Sequence, residues 1–358
     1  MRAAILDALP SGLLDQPAQN LHRFLDGPTV IHLPGRQPRP LFVSVLQHGN
    51  ETSGWDAVRR LLKGRYARDP LPRSLILMIG NVRAAARGLR HLADQPDFNR
   101  CWPGSRSPET LWHRLFAEIT DHVKRLDPFA SIDIHNNTGK NPHYAAVNQI
   151  EAQRLHLASL FSRTVLFFTE PAGVQSMAFG RFCPAVTLEC GLAGQADGSD
   201  HAMAYLQSVL DLKALSKEPP APEDLALYET FATVKVSESV EFSFTERTSS
   251  LMFPADLDRH NFMEIPPGTP FARYDASLDE RPLRVFDHSG RDIADHCFEA
   301  QSQQLVTRRP LVPAMLTTDE YVVRNDCLCY LMERLSIERH LSPDQRFDER
   351  APLPESAP

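Results

Sequence analysis

The strongest constraint on this chain is a rhythm in its first 215 residues. Short apolar runs of strand length alternate with stretches whose apolar residues recur every three or four positions. Leu41–Gln47 (LFVSVLQ), Ser74–Asn81 (SLILMIGN), Phe129–His135 (FASIDIH), Tyr144–Asn148, Thr164–Thr169 and Ala185–Cys190 read as strands. Between them, Thr52–Tyr66 carries Trp55, Val58, Leu61 and Leu62 at helical spacing, with Thr52 or Ser53 as the expected cap. Glu109–Leu126 places Leu111, Leu115, Ile119 and Val123 on one stripe, and Ser199–Leu215 is a third helix. Such alternation predicts an α/β layered fold, a mixed sheet flanked by helices. Too few residues separate Asp133–His135 from Tyr144–Asn148 for a crossover helix, so some antiparallel pairing is expected.

The texture changes at the proline cluster Lys217–Pro222 (KEPPAP), which reads as a linker. Beyond it, Thr233–Thr245 alternates apolar and polar residues as a half-buried strand, and Leu283–Phe286 followed by DHSGR reads as the start of a hairpin. A short helix is expected around Leu328–Ile337. The expected organisation is therefore an α/β domain over 1–216, a β-rich domain over 223–342 and a flexible tail over 343–358.

With 42% apolar residues in 358, the chain has enough material for a packed core, and no window approaches the length of an apolar membrane span. A net charge of −7 gives no basic footprint for nucleic acid. Asp7 and Pro10 interrupt the apolar start, a poor secretory signal, so the six cysteines read as reduced thiols of a cytoplasmic protein. Cys327 and Cys329 form a lone CxC with no second pair to complete a zinc site.

Three strand ends carry polar groups with chemistry. His48-Gly-Asn-Glu51 follows the first strand, and imidazole with carboxylate can ligate one cation, although a histidine after a strand is more often a plain loop residue. His135 ends another strand, at the kind of position where ligands collect in α/β sheets. Together the three would make a His2Glu set with a coordination position left over, as in catalytic rather than structural zinc. Glu189 lies in the apolar run Ala-Val-Thr-Leu-Glu-Cys-Gly, where a carboxylate is costly unless it is paired or functional. It reads either as a salt-bridged structural residue or as a general base. Asn99 and Arg100, in Asp97-Phe-Asn-Arg100, could grip a carboxylate or merely decorate the surface.

In this order, HGNE, Gly80-Asn81, DFNRCWPG, DIH and LECG resemble the succinylglutamate desuccinylase/aspartoacylase family of the zinc carboxypeptidase-like superfamily, over about residues 40–215. Phe98 stands where the family pattern has leucine. The resemblance implies one zinc ion per chain on His48, Glu51 and His135, with Glu189 as the base that takes a proton from water. It implies Asn99 and Arg100 as the grip on a substrate carboxylate and Arg90 as the group polarising the scissile carbonyl. The implied reaction is hydrolysis of the amide of an N-acyl amino acid or similar small carboxylate-bearing molecule, and a homo-oligomer is left open. Aspartate-preferring members place an arginine about ten residues before the base, where this chain has Phe179. Arg181 is the neighbouring candidate for the acyl group. A metallocarboxypeptidase acting on a peptide or cell-wall-like fragment is the alternative enzyme, and a silent binding protein of the same fold is the non-enzymatic one.

Overall fold

A computed structural model describes residues 3–337 apart from 138, 246–248, 276, 277, 279 and 280. The expected tail over 343–358 lies outside the described residues. The chain forms two compact units, one built from the residues up to Asn136 with His143–Leu227, the other from Asn137–Pro142 with Tyr228–Leu335.

The first unit is the expected mixed α/β layer. Its strands are Ala4–Leu6 (β1), Thr29–Leu33 (β2), Gly35–Val45 (β3), Leu71–Ile79 (β4), Ala130–Asn137 (β5), Tyr144–Val147 (β6), Thr164–Phe167 (β7) and Ala185–Leu192 (β8). They lie in the order β1-β2-β4-β3-β5-β8-β6-β7. β3 runs parallel to both β4 and β5, so the carboxyl ends of these strands point the same way. Antiparallel pairing is present, but it joins β2 to β4 and β6 to β8, and β8 lies between β5 and β6, so the two segments whose short connection suggested it are not neighbours.

Side chains alternate across the sheet as the two-residue period requires. Phe42, Ile76 and Met78 meet Leu115, Phe116, Ile119 and Val123 of helix Leu111–Lys124, together with Trp102 and Phe179. That helix opens on a capping box, with Thr110 and His113 each accepting a backbone N–H. On helix Ser53–Lys63, Gly54 fits against Val45 and Ile134, where an added Cβ would meet both at about 3 Å or less. Ser131, Asp133 and His135, two residues apart, share the strand face opposite to Ile132 and Ile134.

The second unit is β-rich. Ala226–Val236 (β9) pairs antiparallel with Leu283–Asp287 and with Cys329–Arg334, and the latter pairs with Val312–Ala314. A separate five-stranded sheet contains Phe242–Ser243, Leu251–Met252, Pro270–Tyr274, Gln304–Thr307 and Phe298–Gln301. Its core gathers Phe244, Phe253, Phe271, Val285 and Leu331. Two expectations are corrected here. The alternating run 233–245 is two strands in different sheets, because a turn closed by Val240 N–H on Ser237 O breaks it. Residues 329–334 are a strand rather than a helix, since Tyr330 and Met332 pair along β9.

All six cysteines are free and buried. Among the described residues no helix is long and apolar enough to cross a membrane.

Candidate metal centre

The site begins with an unusual bend. β3 ends at Val45, and Leu46 takes a left-handed conformation (φ 58°) that a leucine seldom adopts. The Gly80-Asn81 pair holds it there. Gly80 N–H donates to Val45 O at 2.9 Å and Asn81 N–H to Leu46 O at 2.5 Å. A Cβ on Gly80 would stand 2.6 Å from Leu46 O, so only glycine allows this approach. The Asn81 side chain caps the short helix Val82–Ala85, whose backbone then backs Gly49. The HGNE turn is thereby fixed between β3 and that helix.

His48, Glu51 and His135 converge as the only potential metal-binding cluster among the described residues, and all three are buried. His48 Nδ1 lies 2.8 Å from Glu51 Oε1, His135 Nδ1 lies 2.7 Å from Glu51 Oε2, and the two Nδ1 atoms are 3.2 Å apart. The opposite nitrogens are already engaged. His48 Nε2 donates to Asp97 Oδ1 at 2.9 Å, and His135 Nε2 to Asp133 Oδ2 at 2.8 Å. With those protons placed on Nε2, both Nδ1 atoms and both Glu51 oxygens face one point, where a proton or a metal cation can sit between them. Ligands about 2.0–2.1 Å from a tetrahedral zinc ion lie roughly 3.3 Å apart; the two Nδ1 atoms match this at 3.2 Å, and the Nδ1–Glu51 pairs, at 2.8 and 2.7 Å, would open by about half an ångström. The donor set therefore fits zinc.

The surrounding charges are consistent with that. Burial would raise the Glu51 pKa, but the flanking histidines pull it well below the usual carboxylate range. Burial would lower that of His135, yet Asp133 and Glu51 on either side raise it well above the ordinary value. Asp97 is held low by His48 and by Arg90, against its own desolvation.

Asp133 and Asp97 as the histidines' partners were not anticipated from the sequence. Asp133 is fully buried and takes donors from Ser44 Oγ at 2.7 Å and Gln47 Nε2 at 2.6 Å. Trp102 donates its indole N–H to Gln47 Oε1 at 2.6 Å. The signal was present in SIDIH, because an aspartate two residues before a strand histidine must share its face.

Glu189 stands beside this cluster on β8. Its Oε2 is buried with no hydrogen-bond partner among the described residues. Burial pushes its carboxyl up to about 7, the Glu51 charge adds to this, and His135, His48 and Arg90 oppose it. A structural salt bridge for Glu189, the alternative reading, is absent among the described residues.

Arg90 spans Glu51 and Asp97, at 3.3 and 3.1 Å, with its side chain 43% exposed toward solvent. Asn99 is buried, with Nδ2 3.4 Å from His135 Nε2 and Oδ1 accepting from Gln175 N–H at 3.2 Å. Arg100 is half-buried, and its guanidinium donates to Asn99 O at 2.7 Å. Arg181 is exposed and lies against Gly104, where an added Cβ would meet its Nη2 at 2.8 Å. Phe179 is core, stacked on Phe42 at 4.4 Å.

Residues 39–212 match the catalytic-domain family of succinylglutamate desuccinylase and aspartoacylase. This segment belongs to that family. Members of the succinylglutamate desuccinylase/aspartoacylase family are amide-cleaving deacylases. A succinylglutamate desuccinylase of Ectopseudomonas mendocina (strain ymp) is 25% identical, across 64% of this chain and 71% of that protein. Two solved structures share the fold. The succinylglutamate desuccinylase of Chromobacterium violaceum has a TM-score of 0.52 at 19% identity, covering 84% of this chain and 87% of that one. Murine aminoacylase 3 has a TM-score of 0.51 at 16% identity, covering 84% and 97%.

Proposed function

We propose that the chain is a zinc-dependent deacylase that hydrolyses the amide bond of an N-acyl amino acid or a similar small carboxylate-bearing amide. The reading rests on one observation: the His48–Glu51–His135 set lies beside a buried carboxylate, Glu189, whose Oε2 has no hydrogen-bond partner among the described residues. A zinc ion held by the three residues supplies Lewis acidity, polarising a carbonyl oxygen and lowering the pKa of water.

The chain's own groups do the remainder. Glu189 titrates near neutrality, so its Oε2 can take a proton from water and return it to the leaving amine. Arg90 is anchored by Glu51 and Asp97, and its outward guanidinium offers donors to the oxygen on which negative charge develops. Arg100, fixed by Asn99 O, is the partner for a substrate carboxylate, while Asn99 Oδ1 holds the loop by accepting from Gln175 N–H. Arg181 is exposed beside the same loop and is assigned to the acyl end.

Metal analysis and turnover test this together. The purified chain is expected to hold one equivalent of zinc, and absence of any stoichiometric divalent metal overturns the proposal. Glu189→Gln should keep the metal while kcat on N-acyl amino acids falls about 10²–10⁴-fold. Unchanged turnover removes Glu189 from the base role, and hydrolysis of dipeptides in preference to N-acyl amino acids replaces the substrate class.

A further inference from the structure

A second charged site lies at the other end of the same strands. A cavity of about 460 Å³ opens beside Arg39, Arg73, Lys213 and Lys217, with Phe129 and Phe182 among its walls. No aspartate or glutamate lines it. Arg39 has one acidic partner, Asp127 at 2.8 Å, and the other three cations appear in no ion pair among the described residues.

Arg73 is the telling member. It is 2% exposed, at the start of β4. Its guanidinium donates to Arg39 O at 2.9 Å, Gln37 Oε1 at 2.6 Å and Leu212 O at 2.8 Å, all of them uncharged acceptors. Its carbon Cζ sits 3.6 Å from the centre of the Phe129 ring, and its Nε has no partner among the described residues. A buried cation without a counter-ion is costly, and a fold that keeps one, rigidly held, beside three further cations is built to receive negative charge. Burial, and then the Arg39 charge, depress its pKa to about 10.

We propose that this cavity binds a small organic carboxylate bearing an apolar group, at a site separate from the metal centre. The cations receive the carboxylate, and Phe129 and Phe182 receive the apolar part. Separation follows from the strand. Pro38 lines this cavity, and Val45 precedes the metal loop on the same strand, β3. At ~3.3 Å per residue the two lie roughly 23 Å apart.

Benzoate, a carboxylate on an apolar ring, is the probe, titrated calorimetrically into the full-length protein. Three chains are compared: the unmodified one, Arg100→Gln to weaken carboxylate binding at the metal centre, and Lys213→Gln/Lys217→Gln. Both lysines are exposed, so the double variant is expected to fold. Benzoate should bind Arg100→Gln as it binds the unmodified chain, and bind the double variant about tenfold more weakly through the loss of two charge contacts. Inorganic phosphate, which lacks an apolar part, should bind more weakly than benzoate. Equal affinity in the double variant, or loss of all benzoate binding in Arg100→Gln, overturns the site. Tighter binding of phosphate overturns the ligand class.

Discussion

Asp133 does for His135 what Asp97 does for His48: each fixes one ring proton so that the other nitrogen faces the ligand point. Such outer partners commonly govern metal affinity by about 10–100-fold. Asp133→Asn is therefore expected to weaken zinc binding by about that factor, read by competition with a chromophoric chelator. Glu189 makes a pH prediction. Its folded pKa, about 7, exceeds the ordinary 4.5, so between these values the folded metal-free chain keeps a proton that the unfolded chain has released. Its contribution to stability is complete below pH 4.5 and is lost as pH rises through 7. Urea unfolding of chelator-treated protein should show Glu189→Gln gaining on the unmodified chain across that window, and a constant difference would contradict the shift. At this scale much was legible. Histidine and carboxylate at strand ends name their own chemistry, and an apolar run around Glu189 already implied desolvation. What the sequence could not show is which acid meets which ring, because Asp97 approaches His48 from 49 residues away.

Between residues and molecule stand the turns that aim the ligands. The HGNE loop depends on a left-handed Leu46, on the Gly80-Asn81 clasp and on Gly49, whose N–H donates to Arg90 O at 2.9 Å. A Cβ on Gly49 would lie 2.2 Å from Ala85 N and 2.4 Å from the Ala84 carbonyl carbon, both backbone atoms that cannot swing aside. Gly49→Ala should therefore cost about 1–3 kcal/mol in stability and reduce zinc occupancy, measured by denaturation and elemental analysis. Elements were read best where one periodicity ran uninterrupted, as in helix Leu111–Lys124 and strand Ala185–Leu192. They were misread where partners decide. Cys329–Arg334 is too short, and its neighbours Leu331 and Met332 are both buried, so no two-residue period separates a strand from a helix there, and β9 settles the matter. The N–H of Ser53 meets Asn136 Oδ1 at 3.2 Å, so the helix that seemed to be capped by Thr52 or Ser53 draws on another strand.

The whole chain is acidic, with a net charge of −7, yet Arg90 and Arg100 border the metal centre and four cations border the distant cavity. Net charge averages over features that function reads separately. The β-rich unit holds its own core around Phe271, 1% exposed and 4.9 Å from Phe298 between ring centres. Phe271→Ala should lower stability by about 3–5 kcal/mol, measured by denaturant unfolding. The two-sheet build of that unit was not legible, since strand length showed in the sequence but sheet membership is a matter of long-range pairing. The same long-range pairing bears on how the metal centre comes to exist. His48 and His135 are 87 residues apart in the chain and meet only because β3 and β5 lie parallel and adjacent. Parallel pairing of distant segments is among the slower steps in folding, because chain closure precedes the contacts that reward it. The His48–Glu51–His135 set is therefore complete only after the sheet has zipped, so a cation taken up there would meet an already formed sheet instead of seeding it.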